Sequence, residues 1–206
     1  MKANGTIQAV IFDLGGVLID FDFNRANRRI AEITGLQPDE IRRRILSCSG
    51  FLDFECGRIS EREFHACVEK VLGHSIPFST FHELWNFIFS DEIAPTVALV
   101  PELRRSVKVG LLSNTNALHF EHLKTRMRVL SEMDHVFASH EIGHRKPDAE
   151  AYQHVLKEMK VPAQHAVFVD DLAENIAAAR QVGMIGIHAS SAANVAAGLK
   201  DLGLLK

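Results

Sequence analysis

The sequence predicts an α/β protein: a doubly wound, parallel, Rossmann-like sheet with an all-helical insert after its first strand. Three observations predict it. Gln8 to Phe12 is an uninterrupted apolar run, as a strand buried on both faces requires. From about Asn24 to Phe89 the pattern is helical throughout. From about Pro95 onward, short apolar runs alternate with helical patterns, which implies parallel pairing through right-handed crossovers. The division that follows is a core of residues 1–21 and 92–206, and a helical domain of residues 22–91.

Within the insert, Phe23, Ala26, Ile30 and Ile33 recur at helical spacing, and Gly35 marks a stop. Pro38-Asp39-Glu40 opens a second helix through Ile41 and Ile45. Ser60-Glu61-Arg62-Glu63 reads as a capping box, with Ser60 as N-cap and Glu63 reaching back. Its helix runs to about Leu72, before Gly73. Ser79 or Thr80 starts another, through Phe81, Leu84, Trp85 and Ile88. In the second half, Pro95 to Arg105, Asn116 to Val129, Asp148 to Met159, Ala173 to Gln181 and Ala192 to Leu202 read as helices. Val107 to Leu112, His135 to Ser139, Ala166 to Val169 and Met184 to His188 read as strands.

Composition narrows the function. A chain of 206 residues with 47% hydrophobic content can bury an ample core. A net charge of −3 favours neither nucleic acid nor an anionic membrane. The basic groups Arg25, Arg28, Arg29 and Arg42, Arg43, Arg44 read as solvated helix faces. Three cysteines form no CxxC pair, which suggests a reducing compartment. Met1 to Gln8 lacks the apolar core of a signal peptide, and no run approaches the roughly 20 apolar residues of a membrane span. The expectation is a cytoplasmic protein.

The chemistry lies at the ends of the apolar runs. In an open α/β sheet, ligands bind beyond the carboxyl ends of the strands. Asp13, Ser113-Asn114 and Asp170-Asp171 all fall there, and Lys146-Pro147 precedes a helix. Asp13 alone is equally a solvated turn; the set gives it weight. A carboxylate ionised at neutral pH can attack phosphorus and give an acyl phosphate that water hydrolyses. Repulsion between the two anions calls for a hard divalent cation, Mg²⁺. Adjacent acids at the end of a buried strand are costly unless paired or metal-bound, so Asp170 and Asp171 read as its ligands. The Ser113 hydroxyl and nearby backbone N–H groups suit phosphate, although either residue alone could be a helix cap. Pro147 suits a first helical turn and biases Lys146 toward an extended backbone. A fixed cation there would screen nucleophile and phosphoryl group. The partner expected is a small-molecule phosphate ester.

Asp13-Leu14-Gly15-Gly16-Val17, Ser113-Asn114, Lys146-Pro147 and Asp170-Asp171, in that order, resemble the haloacid dehalogenase-like hydrolase superfamily. The resemblance covers nearly the whole chain, and the insert resembles that superfamily's small cap domain. Phe21-Asp22-Phe23-Asn24-Arg25 and Gly57-Arg58-Ile59-Ser60 make the chain most similar to sugar phosphatases of the α-D-glucose-1-phosphate phosphatase type. The phosphatase domain of soluble epoxide hydrolase is a more distant likeness. The resemblance implies that Asp13 is nucleophile and metal ligand, and that Gly15 gives the metal a backbone carbonyl. It implies that Ser113 and Asn114 hold phosphate and that Lys146 is the electrostatic anchor. In the family's last motif the principal metal acid lies four residues before an Asp or Asn, so with Asn175 in that place the resemblance implies that Asp171 is the principal ligand and Asp170 secondary.

Gly15 departs from the pattern, because most phosphatases of the superfamily carry there an Asp that serves as general acid and base. Such help contributes typically ~10²–10⁴-fold. An anomeric phosphate, whose leaving oxygen is the more acidic, would suffer least from its loss. Asp20, Asp22 or a substrate hydroxyl are the possible substitutes. Two alternatives stay open: a 2-haloacid dehalogenase, and a catalytically weak phospho-ligand binder. His140 and His144 read as loop residues, and His119, His122 and His154 as surface or boundary residues. Phe81, Trp85 and Phe89 read as a packing stripe. Phe51, Glu55 and Arg58 read as a loop between insert helices that faces the site.

Overall fold

The computed structural model describes residues 6–206, so most of the polar N-terminal stretch read above, Met1 to Gly5, lies outside the described residues. Among the described residues, seven strands form two sheets. The larger sheet contains β1 (Ala9–Phe12), β4 (Lys108–Ser113), β5 (His135–Ala138), β6 (Ala166–Asp170) and β7 (Ile185–His188), in the order β5-β4-β1-β6-β7. Every pairing in it is parallel. β1 therefore lies at the centre, and the chain winds outward from it in both directions. That arrangement is the doubly wound sheet the alternation predicts.

Side-chain alternation divides the core between the two faces. Val10, Phe12, Val109, Leu111, Val167 and Val169 pack on one face. Ala9, Ile11, Leu112, Ala166 and Phe168 pack on the other, against Tyr152, Val155 and Met159 of the helix Ala149–Met159. Both faces are covered, which accounts for the continuous apolar character of β1 and β6.

The insert holds five helices: α1 (Phe23–Thr34), α2 (Pro38–Leu46), α3 (Gly50–Glu55), α4 (Glu61–Leu72) and α5 (Phe78–Asn86). They surround a core of their own, built on Ile30, Ile41, Phe54, Phe64, Val68 and Phe81. Gly35 ends α1 in the left-handed region, at φ 70°. The capping box on α4 forms in both directions, from Ser60 to Glu63 and back. Among the described residues, no helix is long and apolar enough to cross a membrane.

The structure corrects the sequence reading in four places. The insert is joined to the core by an antiparallel ribbon of β2 (Ile19–Phe21) and β3 (Phe89–Glu92), at the two ends of the helical stretch, where the sequence reading assigned no strand. Phe51 and Glu55 lie on α3 and not in a loop. Pro95 to Arg105 divides into two short helices, Ala94–Val97 and Leu99–Leu103. Pro147 precedes the N-cap Asp148 and so lies outside the first helical turn.

Candidate active site

Three central strands bring the chemistry together. Asp13 is the residue after β1, and its N–H donates to the Val169 carbonyl at 2.8 Å, which fixes the turn against β6. Ser113 ends β4, and Asp170 ends β6. Asp13, Asp170 and Asp171 each offer a carboxylate oxygen, and these oxygens lie within 4.8 Å of one another. Lys146 reaches in from the loop before the helix Ala149–Met159. Its Nζ donates to Asp13 Oδ1 at 2.6 Å and to Asp170 Oδ2 at 2.7 Å.

Asp170 is fully buried and saturated with donors. Asn175 Nδ2 donates to both of its oxygens at 3.0 Å, and the Leu172 N–H donates to Oδ1 at 2.8 Å. Asn175 thus ties down Asp170, and Asp171 is the acid left facing the cavity. The half-buried Asp171 carboxylate lies over Gly16, where a Cβ would come within 2.5 Å of Oδ2. Only a glycine admits that approach, and Gly16 also has φ +72°.

Three carboxylates and one ammonium leave a surplus of two negative charges, taking three times −1 and once +1 from the groups above. Burial comes first among the causes of the pKa shifts here, and the neighbouring charges come second. Burial pushes Asp13 up to about 6; Asp170 adds to the rise and Lys146 opposes it. Burial, with Asp170 beside it, also raises Asp171. Burial pulls Lys146 down, but Asp13 and Asp170 outweigh it and the net direction is up. Lys146 is therefore charged. An oxygen-rich set with surplus negative charge suits a hard divalent cation. Asp13, Asp171 and the nearby Gly15 are the residues that would hold one, with Asp170 fixed behind them.

The other expected residues divide. Ser113 and Lys146 line the cavity over Asp13, as do Gly15 and Asn114. The Asn114 side chain, however, is spent on the backbone of Lys146. Its Nδ2 donates to the Lys146 carbonyl at 2.7 Å, and its Oδ1 accepts from the Lys146 N–H at 2.8 Å. It positions the lysine, which leaves its backbone N–H for an anion. Asp20 is exposed, and Asp22 N-caps α1 by accepting from the Asn24 N–H at 2.8 Å. Neither lines the cavity over Asp13. At Gly15 a Cβ would come within 2.8 Å of Phe21 Cε1, so an aromatic ring stands where a side chain would project.

Sequence reasoning missed several wall residues. Arg145 Nη2 lies 3.0 Å from Glu55 Oε2, an ion pair that joins α3 to the core across the cavity. Burial holds Glu55 above the usual carboxylate range despite that arginine. His119, expected near the surface, is buried in the first turn of the helix Ala117–Arg126. Its ring stacks on Trp85 with centroids 5.3 Å apart, and burial lowers its pKa to about 3. Adjacency to Lys146 was the available signal for Arg145. His119 had none, because its burial depends on where the insert sits.

Residues 7–183 match the haloacid dehalogenase-like hydrolase family. The chain belongs to that family. The haloacid dehalogenase-like hydrolase described here is 33% identical to the sesquiterpene phosphatase astK of Aspergillus oryzae, over 89% of this chain and 90% of the relative. It is 27% identical to the D-ribitol-5-phosphate phosphatase of Bacteroides thetaiotaomicron, over 86% of this chain and 89% of the relative. Its fold is similar to that of the wild-type HAD family enzyme bt-2542 from Bacteroides thetaiotaomicron, solved with magnesium and inorganic phosphate. The TM-score is 0.80 at 25% identity, covering 88% of this chain and 93% of that one. This family member is a hydrolase, and the relatives named here are phosphatases.

Proposed function

We propose that the chain is a Mg²⁺-dependent phosphatase for small phosphate monoesters, acting through an aspartyl-phosphate on Asp13. The observation that carries the reading is the bridge from Lys146 to Asp13 and Asp170, with Asp171 beside it, at the carboxyl ends of β1 and β6. Lys146 occupies Asp13 Oδ1, so attack on phosphorus falls to Oδ2. The Oδ2–P bond forms as the bond from phosphorus to the ester oxygen breaks, and the alkoxide leaves as the alcohol by taking a proton from water; a second water then attacks phosphorus, releasing inorganic phosphate and restoring the Asp13 carboxylate. Lys146 holds the nucleophile in place and offsets charge on the transferring group. The Ser113 hydroxyl and the backbone N–H of Asn114 receive the phosphate oxygens. A Mg²⁺ held by Asp13, Gly15 and Asp171 would offset the repulsion between carboxylate and phosphate. Asp170 keeps Lys146 and Asn175 aligned behind it.

The intact acidic set also weighs against the dehalogenase alternative, which has little use for Asp171. For the alcohol, the glucose-1-phosphate likeness and the ribitol-5-phosphate relative favour a sugar or polyol, whereas the terpenoid relative favours an apolar body. Phosphate release from 4-nitrophenyl phosphate is the first test, with Mg²⁺ and with chelator, for wild type and Asp13→Asn. Mg²⁺-dependent release that Asp13→Asn abolishes is the expected result. Turnover retained by Asp13→Asn would overturn the nucleophile, and binding of phosphate with no turnover would favour the weak binder.

A further inference from the structure

We propose that the ester hydrolysed at Asp13 is that of a bulky apolar alcohol. Its body would run from the acidic cluster under the insert and end between α1 and α2. The proposal rests on the phosphatase reading and adds to it the class of alcohol.

The walls argue for it. The cavity over Asp13 has a volume of about 260 Å³. Away from the acidic end its wall is Phe21, Phe23, Phe51, Trp85, Ile88 and Phe89. The apolar surface extends to the first motif, because the Phe21 ring fills the space beside Gly15. A second cavity of about 70 Å³ adjoins the first. The two share Phe23, Phe51, Trp85, Ile88 and His119. Beyond that shared wall, the second reaches Ala26 and Ile30 of α1 and Ile45 and Leu46 of α2. Together they make a path from the nucleophile into the insert.

The polar groups along this path are mostly engaged with one another. Arg145 pairs with Glu55 at 3.0 Å. Trp85 Nε1 donates to Asn116 Oδ1 at 3.3 Å, and that oxygen also caps the His119 N–H at 3.1 Å. His119 Nδ1 meets Asn86 Oδ1 at 3.2 Å. A sugar carries a hydroxyl on nearly every carbon and needs a matching row of free partners, which binding sites for polar ligands supply. An alkyl or isoprenoid chain needs none. Two residues with unengaged donors line the second cavity: Asn27, whose buried Nδ2 has no partner among the described residues, and the exposed Arg42, which makes no hydrogen bond or ion pair among them.

The test is kcat/KM of the full chain with Mg²⁺ for n-alkyl phosphates from ethyl to dodecyl, below their micelle concentrations. Farnesyl phosphate, glucose 1-phosphate, ribitol 5-phosphate and 4-nitrophenyl phosphate complete the panel. The expected result is a rise of up to about fourfold per buried methylene, with the longest chains at least ~100-fold above ribitol 5-phosphate, which like them releases a primary alcohol, given several such methylenes. Ala26→Trp, which fills the second cavity, is expected to end the rise early and leave the long chains no better than the middle ones. Should that variant fail to fold, Leu46→Trp at the exposed rim of the same cavity gives the same readout. Ribitol 5-phosphate equal to or better than decyl phosphate, with 4-nitrophenyl phosphate hydrolysed, would overturn the apolar alcohol and leave the phosphatase standing. A rise with chain length that both tryptophan variants keep would overturn the path into the insert. No Mg²⁺-dependent release from any substrate, 4-nitrophenyl phosphate included, would overturn the phosphatase reading and this proposal with it.

Discussion

Gly15 occupies the position where the superfamily resemblance leads one to expect an acid, and a ring already stands where its side chain would project. A Cβ there would lie 2.8 Å from Phe21 Cε1 and 3.2 Å from Cδ1. Overpacking of this kind costs typically about 1–3 kcal/mol. Gly15→Asp is therefore expected to lower stability by that amount and to bring no gain in turnover. Adding Phe21→Ala should return part of the loss, which urea denaturation of the four-member cycle would read as coupling. His119 supports a pH prediction. Burial lowers its pKa in the folded chain to about 3, with the His122 charge adding to the shift. Trp85, Phe89 and Asn86 surround the ring, while Asn116 caps the His119 backbone N–H. The unfolded chain takes up a proton near pH 6.5 and the folded chain does not, so the stability is present above 6.5 and lost as pH falls toward 3. The slope is at most about 1.4 kcal/mol per pH unit. Between pH 7 and pH 5 wild type should lose about 1–2 kcal/mol more than His119→Gln, by the same linkage. Asp13, Ser113, Lys146, Asp170 and Asp171 were legible in the sequence because each stands beside an apolar run or a proline that fixes its place. Phe21, Trp85, His119 and Arg145 were not, because their facing is decided by how insert and core meet.

Among the elements, long periodic segments were the readable ones. α1 and α4 carry their own start and stop signals: Asp22 and Gly35 for one, Ser60, Glu63 and Gly73 for the other. The β2–β3 ribbon carries none, since Ile19-Asp20-Phe21 and Phe89-Ser90-Asp91-Glu92 are too short and too polar to set a period. α3 has no side-chain cap and six residues, so its sequence looks like a loop. Yet α3 places Phe51 and Glu55 on the cavity, and the turn after it packs on the core. Gly57 has φ +67°, and a Cβ there would come within 2.0 Å of the His140 carbonyl oxygen. Gly57→Ala must therefore move the insert away from the core. Its expected effect is a loss of about 2–3 kcal/mol, from left-handed strain of about 1 kcal/mol plus the clash. KM should rise more than kcat falls, as the cavity wall shifts. Gly35→Ala makes the comparison, because Gly35 has φ +70° but nothing within 4 Å of the added carbon. It should cost only the strain, about 1 kcal/mol, and leave KM in place.

At the scale of the molecule, the strand order converts distant sequence into one charged site. β4 and β6 flank β1 on opposite sides, so their carboxyl ends meet over Asp13. Parallel pairing gives all three the same polarity, and the chemistry gathers at one edge. The result is a fold that concentrates Asp13, Asp170 and Asp171 around a single lysine. Such a concentration exists only in the folded chain, because more than 150 residues separate Asp13 from Asp170 along the sequence. A divalent cation that binds it therefore stabilises the folded state alone. At a hundred times its dissociation constant the stabilisation is about 2.7 kcal/mol. For a chain of this length that corresponds to a rise in Tm of roughly 5–10 °C. Scanning calorimetry of the chelator-treated chain, titrated with MgCl₂ at constant ionic strength, should show this rise, and NaCl matched in ionic strength should not. Asp171→Asn, which removes the acid that faces the cavity, should reduce the rise while leaving the metal-free Tm equal to or above that of wild type. The second half of that expectation follows from the charge surplus: without a cation, one carboxylate fewer relieves repulsion that Lys146 alone does not offset. A metal-free Tm that falls instead would mean that Asp171 holds the turn after β6 in place, and that the surplus charge is not what the folded chain works against.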